Sequence, residues 1–196
     1  MTGAQTCALP IYNFAIKYYN KHVAVLNETY LKEGQGSLRS SVGELYEGLC
    51  FEILNKIDPS LKILKNDYLT LHSKSGKNKL DRIQVDWHVY KGNKLILIIE
   101  CKTWLDVCYL KRAIDDFETI RKIEIHKNVP AIVFAGQDAV SPDAWGYYRE
   151  EYDFEPFFVN KTKKRNSNKP IYKTCDPLDV EEIGRFENYV RKIISQ

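Results

Sequence analysis

The chain has 196 residues, 44% hydrophobic and 28% charged with both signs present, an ordinary globular composition and enough for one domain with a sizeable core. A net charge of +3 with a pI near 8.5 is compatible with nucleic acid without arguing for it. No apolar stretch reaches the ~18 residues of a membrane span, and the five cysteines form no C-x-x-C pair, which argues against zinc and disulfide scaffolds and for reduced thiols.

In chain order, the first segment is unlike the rest. "MTGAQTCALPI" (1–11) resembles, at all but one position, the read-through translation of a sequencing-library adapter; it is expected to be foreign and is set aside, leaving 12–196 as a single domain. Ile16, Tyr19, Val23, Leu26 and Tyr30 recur at helical spacing, and "KEGQGS" (32–37) is expected to stop that helix. A second helix is expected over 41–57, with Ser41 as N-cap and Glu44 closing a capping box.

"YLTLHS" (68–73) reads as a short strand, followed by a turn-rich link over 74–79. "IQVDWHVY" (83–90) alternates strictly, with Ile83, Val85, Trp87 and Val89 on one face and Gln84, Asp86, His88 and Tyr90 on the other. "KGN" (91–93) is a hairpin turn, and "KLILIIECK" (94–102) the return strand, apolar enough to be buried on both faces. A helix follows through Val107, Leu110, Ile114, Phe117 and Ile120, then a buried strand over 130–136. Ser141-Pro142 starts another helix, "PFFV" (156–159) is a strand, and Asp176-Pro177 caps a last helix. The order predicts one α/β domain, a mixed β-sheet flanked by helices.

The chemistry is expected on the hairpin. Glu100 and Lys102 share a face at the end of the most apolar strand. A three-residue turn would set Asp86 opposite Ile98 and diagonal to Glu100, roughly 7–8 Å away at the backbone. Two carboxylates there could share a hard divalent cation, and Lys102 could orient a water or stabilise charge on a phosphate. A carboxylate two before a lysine occurs about once by chance in a chain this size, so alone it reads as a strand-end ion pair. Asp86 on the same face of the same hairpin is what gives it weight. His88 also shares that face, but a hydrogen-bonded strand histidine is the plainer reading, and Trp104 reads as packing at the strand–helix junction.

Asp86…Glu100-Cys101-Lys102, on a hairpin preceded by a helix bearing glutamates, resembles the PD-(D/E)xK nuclease superfamily, and most of all its type II restriction endonucleases. The pattern covers roughly residues 40–136; Val85 stands where the family's name has proline. The resemblance implies a restriction-endonuclease-like core and a Mg²⁺-dependent DNA endonuclease, with Mn²⁺ as a substitute and no organic cofactor. Asp86, Glu100 and the Cys101 carbonyl would hold the metal, and Lys102 would orient the water. A helix carboxylate is often added; of Glu44 and Glu47, Glu47 is preferred because capping accounts for Glu44, and glycines 43 and 48 would let its helix approach the sheet. The resemblance also implies double-stranded DNA as substrate, a homodimer if both strands are cut, no membrane, and the cytoplasm of a prokaryotic cell. The alternatives are a Holliday-junction resolvase or repair nuclease of the same fold, or a DNA-binding module without the chemistry.

"NKTKKRNSNKP" (160–170) is ordinarily a solvated basic loop. In a nuclease, Lys161, Lys163, Lys164, Arg165 and Lys169 become candidate DNA contacts, and Arg165, Asn166 and Asn168 could read base edges. Arg39, ahead of the helix glutamates, is a second and weaker candidate.

Overall fold

Two long helices come first in the computed structural model, which describes residues 8–33, 35–72, 75–77, 79–165 and 176–196. They are α1 (Ala8–Glu33) and α2 (Gln35–Ile57). Then follow β1 (Lys62–Lys65), β2 (Leu69–His72), β3 (Lys79–Ile83), β4 (Trp87–Lys91) and β5 (Lys94–Leu105). The chain continues through α3 (Val107–Arg121), β6 (Ala131–Asp138), α4 (Pro142–Glu151), β7 (Glu155–Phe158) and α5 (Val180–Ile194).

The main sheet has the order β1-β4-β5-β6-β7, antiparallel from β1 to β5 and parallel from β5 to β7, while β2 and β3 pair separately. This is the mixed sheet flanked by helices that the element order predicts. β5 lies at its centre with Leu97, Ile98 and Ile99 wholly buried, because alternate residues meet two separate cores. On one side Leu97, Ile99 and Phe134 pack with Tyr19, Leu49, Ile53 and Phe186 of α1, α2 and α5. On the other, Ile98 and Val133 pack with Leu110, Ile114 and Phe117 of α3 and Tyr148 of α4. Burial of apolar side chains on both faces, at about 25 cal/mol per Å², makes β5 a firm mount for what lies at its end.

Several local expectations are corrected. α2 begins at Gln35, so "GQGS" does not separate the helices widely and Ser41 lies inside α2. A helical Gly36 costs about 1 kcal/mol, which burial of Val42, Leu45, Leu49, Ile53 and Leu54 further along outweighs. With Ser41 internal, the Ser41–Glu44 capping box does not form. Residues 8–11 of the set-aside leader continue α1, and Ile11 is buried in the core.

β1 leaves no signal in the sequence, since Ile63 and Leu64 are too short a run for periodicity to register. The strand expected over 83–90 is broken at residues 84–86, and Ile83 and Val85 enter the opposite core from Trp87 and Val89. The hairpin turn is tighter than expected: Lys91 pairs with Lys94, with Gly92 at φ +60° where a side chain would be strained. α5 is capped by Asp179, which accepts from the backbone N–H of Glu181 and Glu182, whereas Asp176 accepts from Gln137 Nε2. α4 starts as expected, Ser141 capping the Ala144 N–H.

The helix glycines act differently from expectation. Gly43 has open space around it, and Gly48 faces the Tyr18 hydroxyl of α1, not the sheet. The close approach is made by Gly136 on β6, where a Cβ would lie 2.5 Å from the Tyr46 ring and 2.6 Å from the Thr103 carbonyl. No helix of the described residues is long and apolar enough to cross a membrane.

Candidate active site

The break before β4 places Asp86. Trp87 pairs with Ile99 and His88 with Ile98, so one step further Asp86 stands level with Glu100, not diagonal to it. Its backbone carbonyl accepts from the Asn66 N–H at 3.0 Å, and Asn66 itself sits at φ +50°. One carboxylate oxygen of Asp86 accepts from the Cys101 N–H at 2.7 Å, which ties the bend to the central strand. In return Asp86 N–H donates to Glu100 Oε2 at 3.3 Å.

The Lys102 ammonium lies among these groups. It is ion-paired with Glu100 Oε1, 3.5 Å from Asp86 Oδ2, and donates to the Cys101 carbonyl at 3.0 Å. All three side chains are largely shielded, with exposures of 17%, 13% and 22% for Asp86, Glu100 and Lys102. Burial and then the Glu100 charge push the Asp86 carboxyl up to about 6, with Lys102 opposing. Burial works against the Lys102 ammonium, but Glu100 and Asp86 outweigh it and hold the group above its ordinary range.

Glu47 lies at the edge of this cluster, paired with Lys65 of β1 at 2.8 Å, and its charge is among those felt by Asp86. The Trp87 indole donates to the Glu47 carbonyl at 3.1 Å, fixing α2 to the start of β4. Lys65 is a neighbour that sequence reasoning missed, because its strand was missed. Asp116 on α3 was also missed; burial and then Asp115 raise its carboxyl, and the charges of Lys102 and Asp86 reach it. Nothing in the helical periodicity of α3 would have singled it out.

Glu44 is exposed and, without the capping box, has no structural duty of that kind. Glu44→Ala should therefore move stability by no more than about 0.5 kcal/mol and, on the nuclease expectation, leave DNA cleavage intact. Glu47→Ala should cost at most about 1 kcal/mol, since its partner is half exposed; on the nuclease expectation it should also slow cleavage or alter its metal dependence. Melting curves beside cleavage time courses separate the two, and the reverse pattern would move the role to Glu44.

Of the other predicted residues, His88 is wholly buried with neither ring nitrogen hydrogen-bonded among the described residues, and burial depresses its pKa to about 4. The hydrogen-bonded strand histidine of the sequence reading is thus not what the structure shows. The basic loop is partly folded back: Lys163 pairs with Asp179 at 2.6 Å and Lys164 with Asp138, while Arg165 lies over the Trp104 ring. Lys161 is exposed. Lys169, Asn166 and Asn168 lie outside the described residues, as does the Arg39 side chain. The structure thus brings Asp86, Glu100, Cys101 and Lys102 together, with Glu47 beside them, while Lys163, Lys164 and Arg165 lie against Asp179, Asp138 and Trp104.

Whether this cluster suits a hard cation can be judged from its donors. Among the described residues no three His, Cys, Asp or Glu side chains gather as a metal site. The donors are two carboxylates and one main-chain carbonyl, and a cationic nitrogen already sits among all three. Mg²⁺ accepts such a set, needing one or two carboxylates and retaining water elsewhere. The residues fit.

The sheet, its flanking helices and its topology define a restriction-endonuclease-like fold. The chain is similar in structure to a restriction endonuclease, BbvCI, in its native A2B2 tetramer, with a TM-score of 0.57 over 96% of this chain and 79% of that one. At 12% sequence identity the likeness is one of fold. No family model matches the chain, and a search of curated proteins found no match either.

Proposed function

We propose that the chain is a Mg²⁺-dependent endonuclease of the PD-(D/E)xK type that hydrolyses phosphodiester bonds of double-stranded DNA, as a type II restriction endonuclease acting in the prokaryotic cytoplasm. The observation that carries this reading is the meeting of Asp86, Glu100 and the Cys101 carbonyl around one cationic point, the Lys102 ammonium. The fold shared with BbvCI supports it.

In this reading Asp86, Glu100 and the Cys101 carbonyl would hold the cation. Bound there, it would supply Lewis-acid stabilisation of the phosphoryl oxygens and make water more acidic. Lys102, freed from neutralising two carboxylates, directs its N–H donors to the attacking water or the developing oxyanion. Glu47 and Lys65 form a second charged pair at the rim, where Lys65 can meet the DNA backbone. A chain with one such cluster cuts both strands as a homodimer, two-fold symmetric like a palindromic site.

The test is a supercoiled plasmid of mixed sequence, incubated with the protein in Mg²⁺ or EDTA. Wild type should yield linear DNA with discrete ends in Mg²⁺ alone, while Asp86→Asn and Glu100→Gln should yield none. Equal product from either variant, or from wild type in EDTA, would refute the mechanism, and DNA binding without any cleavage would identify a binding module instead.

A further inference from the structure

Two residues beyond Lys102 on β5, about 7 Å along the strand, a groove of about 450 Å³ opens at the C-terminal ends of β5 and β6. It is lined by Trp104, Asp106, Asp138, Ser141, Lys164 and Arg165, among others. The loop after β7 is fastened along its edge: the Asp138 N–H donates to the Lys163 carbonyl at 2.6 Å and the Arg165 N–H to the Asp138 carbonyl at 3.0 Å. The three basic residues there meet different fates. Lys163 and Lys164 are neutralised by Asp179 and Asp138, and Lys164 also donates to the Val140 carbonyl. Arg165 has no carboxylate partner among the described residues. Its guanidinium carbon lies 3.6 Å from the centre of the Trp104 ring, and its Nε is buried without a hydrogen bond among the described residues.

An arginine on an indole face is held by cation–π attraction, so less side-chain entropy remains to be lost when its fork of N–H donors is used. A phosphate clamp would be lined by positive charge in excess. Here Asp106 and Asp138 balance Lys164 and Arg165, so the lining has no net charge to draw an anion. What remains is a planar, directional donor beside an aromatic wall, which suits the flat edge of a base.

We propose that Trp104 and Arg165 form a base-reading element, with Arg165 donating to the O6 and N7 edge of a guanine in the DNA major groove and Trp104 acting as the positioning residue that fixes its plane. This rests on the nuclease reading for its substrate. It makes the loop a determinant of sequence choice, not of general affinity, and it assigns that role to one of its basic residues.

The test is selection of bound duplexes from a randomised pool by the full chain in Ca²⁺, repeated with Arg165→Lys, Trp104→Leu and Trp104→Phe, each checked by melting. Wild type should select a G·C pair at one fixed position. Arg165→Lys, which keeps the charge and loses the fork, should lower that preference roughly 5- to 150-fold, the discrimination of one bidentate contact. Trp104→Leu should lower it likewise, and Trp104→Phe, which keeps an aromatic face, should restore part of it; a merely structural role for Trp104 would not tie selectivity to the aromatic face. Undiminished selectivity in Arg165→Lys and Trp104→Leu, uniform weakening on all sequences, or no wild-type preference at all would each overturn the proposal. Failure of the nuclease reading shows separately, as selective binding with no plasmid cleavage in Mg²⁺.

Discussion

Replacing Lys102 by methionine should slow single-turnover DNA cleavage by at least ~100-fold while DNA remains bound, the scale of one positioned catalytic group. The same substitution should destabilise the metal-free protein. It leaves Asp86 and Glu100 facing each other, both largely shielded, with no counter-ion at the point where the ammonium sat. The cost is roughly 1–3 kcal/mol near pH 8, since the two carboxylates keep the Cys101 and Asp86 N–H groups as partners. Two conditions should recover it. Acidification to about pH 5 lets Asp86 take up a proton, and Mg²⁺ supplies the missing positive charge. A plain strand-end ion pair predicts a small loss of stability, no effect of Mg²⁺ on it and unchanged cleavage. Melting curves with and without Mg²⁺, run beside cleavage time courses, distinguish the two, and full activity in Lys102→Met would remove Lys102 from the mechanism.

In EDTA, Asp86 and His88 should make the stability of the protein depend on pH in opposite directions. The Asp86 carboxyl, held at about 6 against an ordinary 3.8, binds a proton more readily in the folded state. Its contribution is therefore complete below pH 3.8 and is lost as pH rises through about 6. His88, depressed to about 4 from 6.5, binds its proton more readily in the unfolded chain. Its effect runs the other way: stability is complete above pH 6.5 and is lost as pH falls through about 4. Each shift corresponds to about 3 kcal/mol across its window, so in wild type the two largely cancel between pH 4 and 6. Difference curves separate them. Relative to Asp86→Asn, wild type should gain stability as pH falls from 6 to 4; relative to His88→Leu, it should lose stability over the same range. A difference curve flat in pH for either variant would mean that its group titrates normally in the folded protein.

Features whose causes are local are legible along the chain. Continuous apolarity over 94–99 marks the central strand, and a period of two then sets Glu100 and Lys102 on one face at its end. Helical spacing and the Ser141 cap likewise place α3 and α4. Tertiary structure decided what depends on partners distant in the chain. The alternation over 83–90 reads as one strand, yet the chain breaks where the Asp86 carboxylate takes the Cys101 N–H and its carbonyl takes the Asn66 N–H. That break, with the tight Gly92 turn, is what sets Asp86 level with Glu100. The start of α2 shows the same limit, because local cap chemistry at Ser41 yields to a helix held by burial further along. Lys65 and Trp104 took on roles for a similar reason: each is defined by a side chain about 20 or 60 residues away, Glu47 or Arg165, and no pattern within a strand records which residue folding will bring against it.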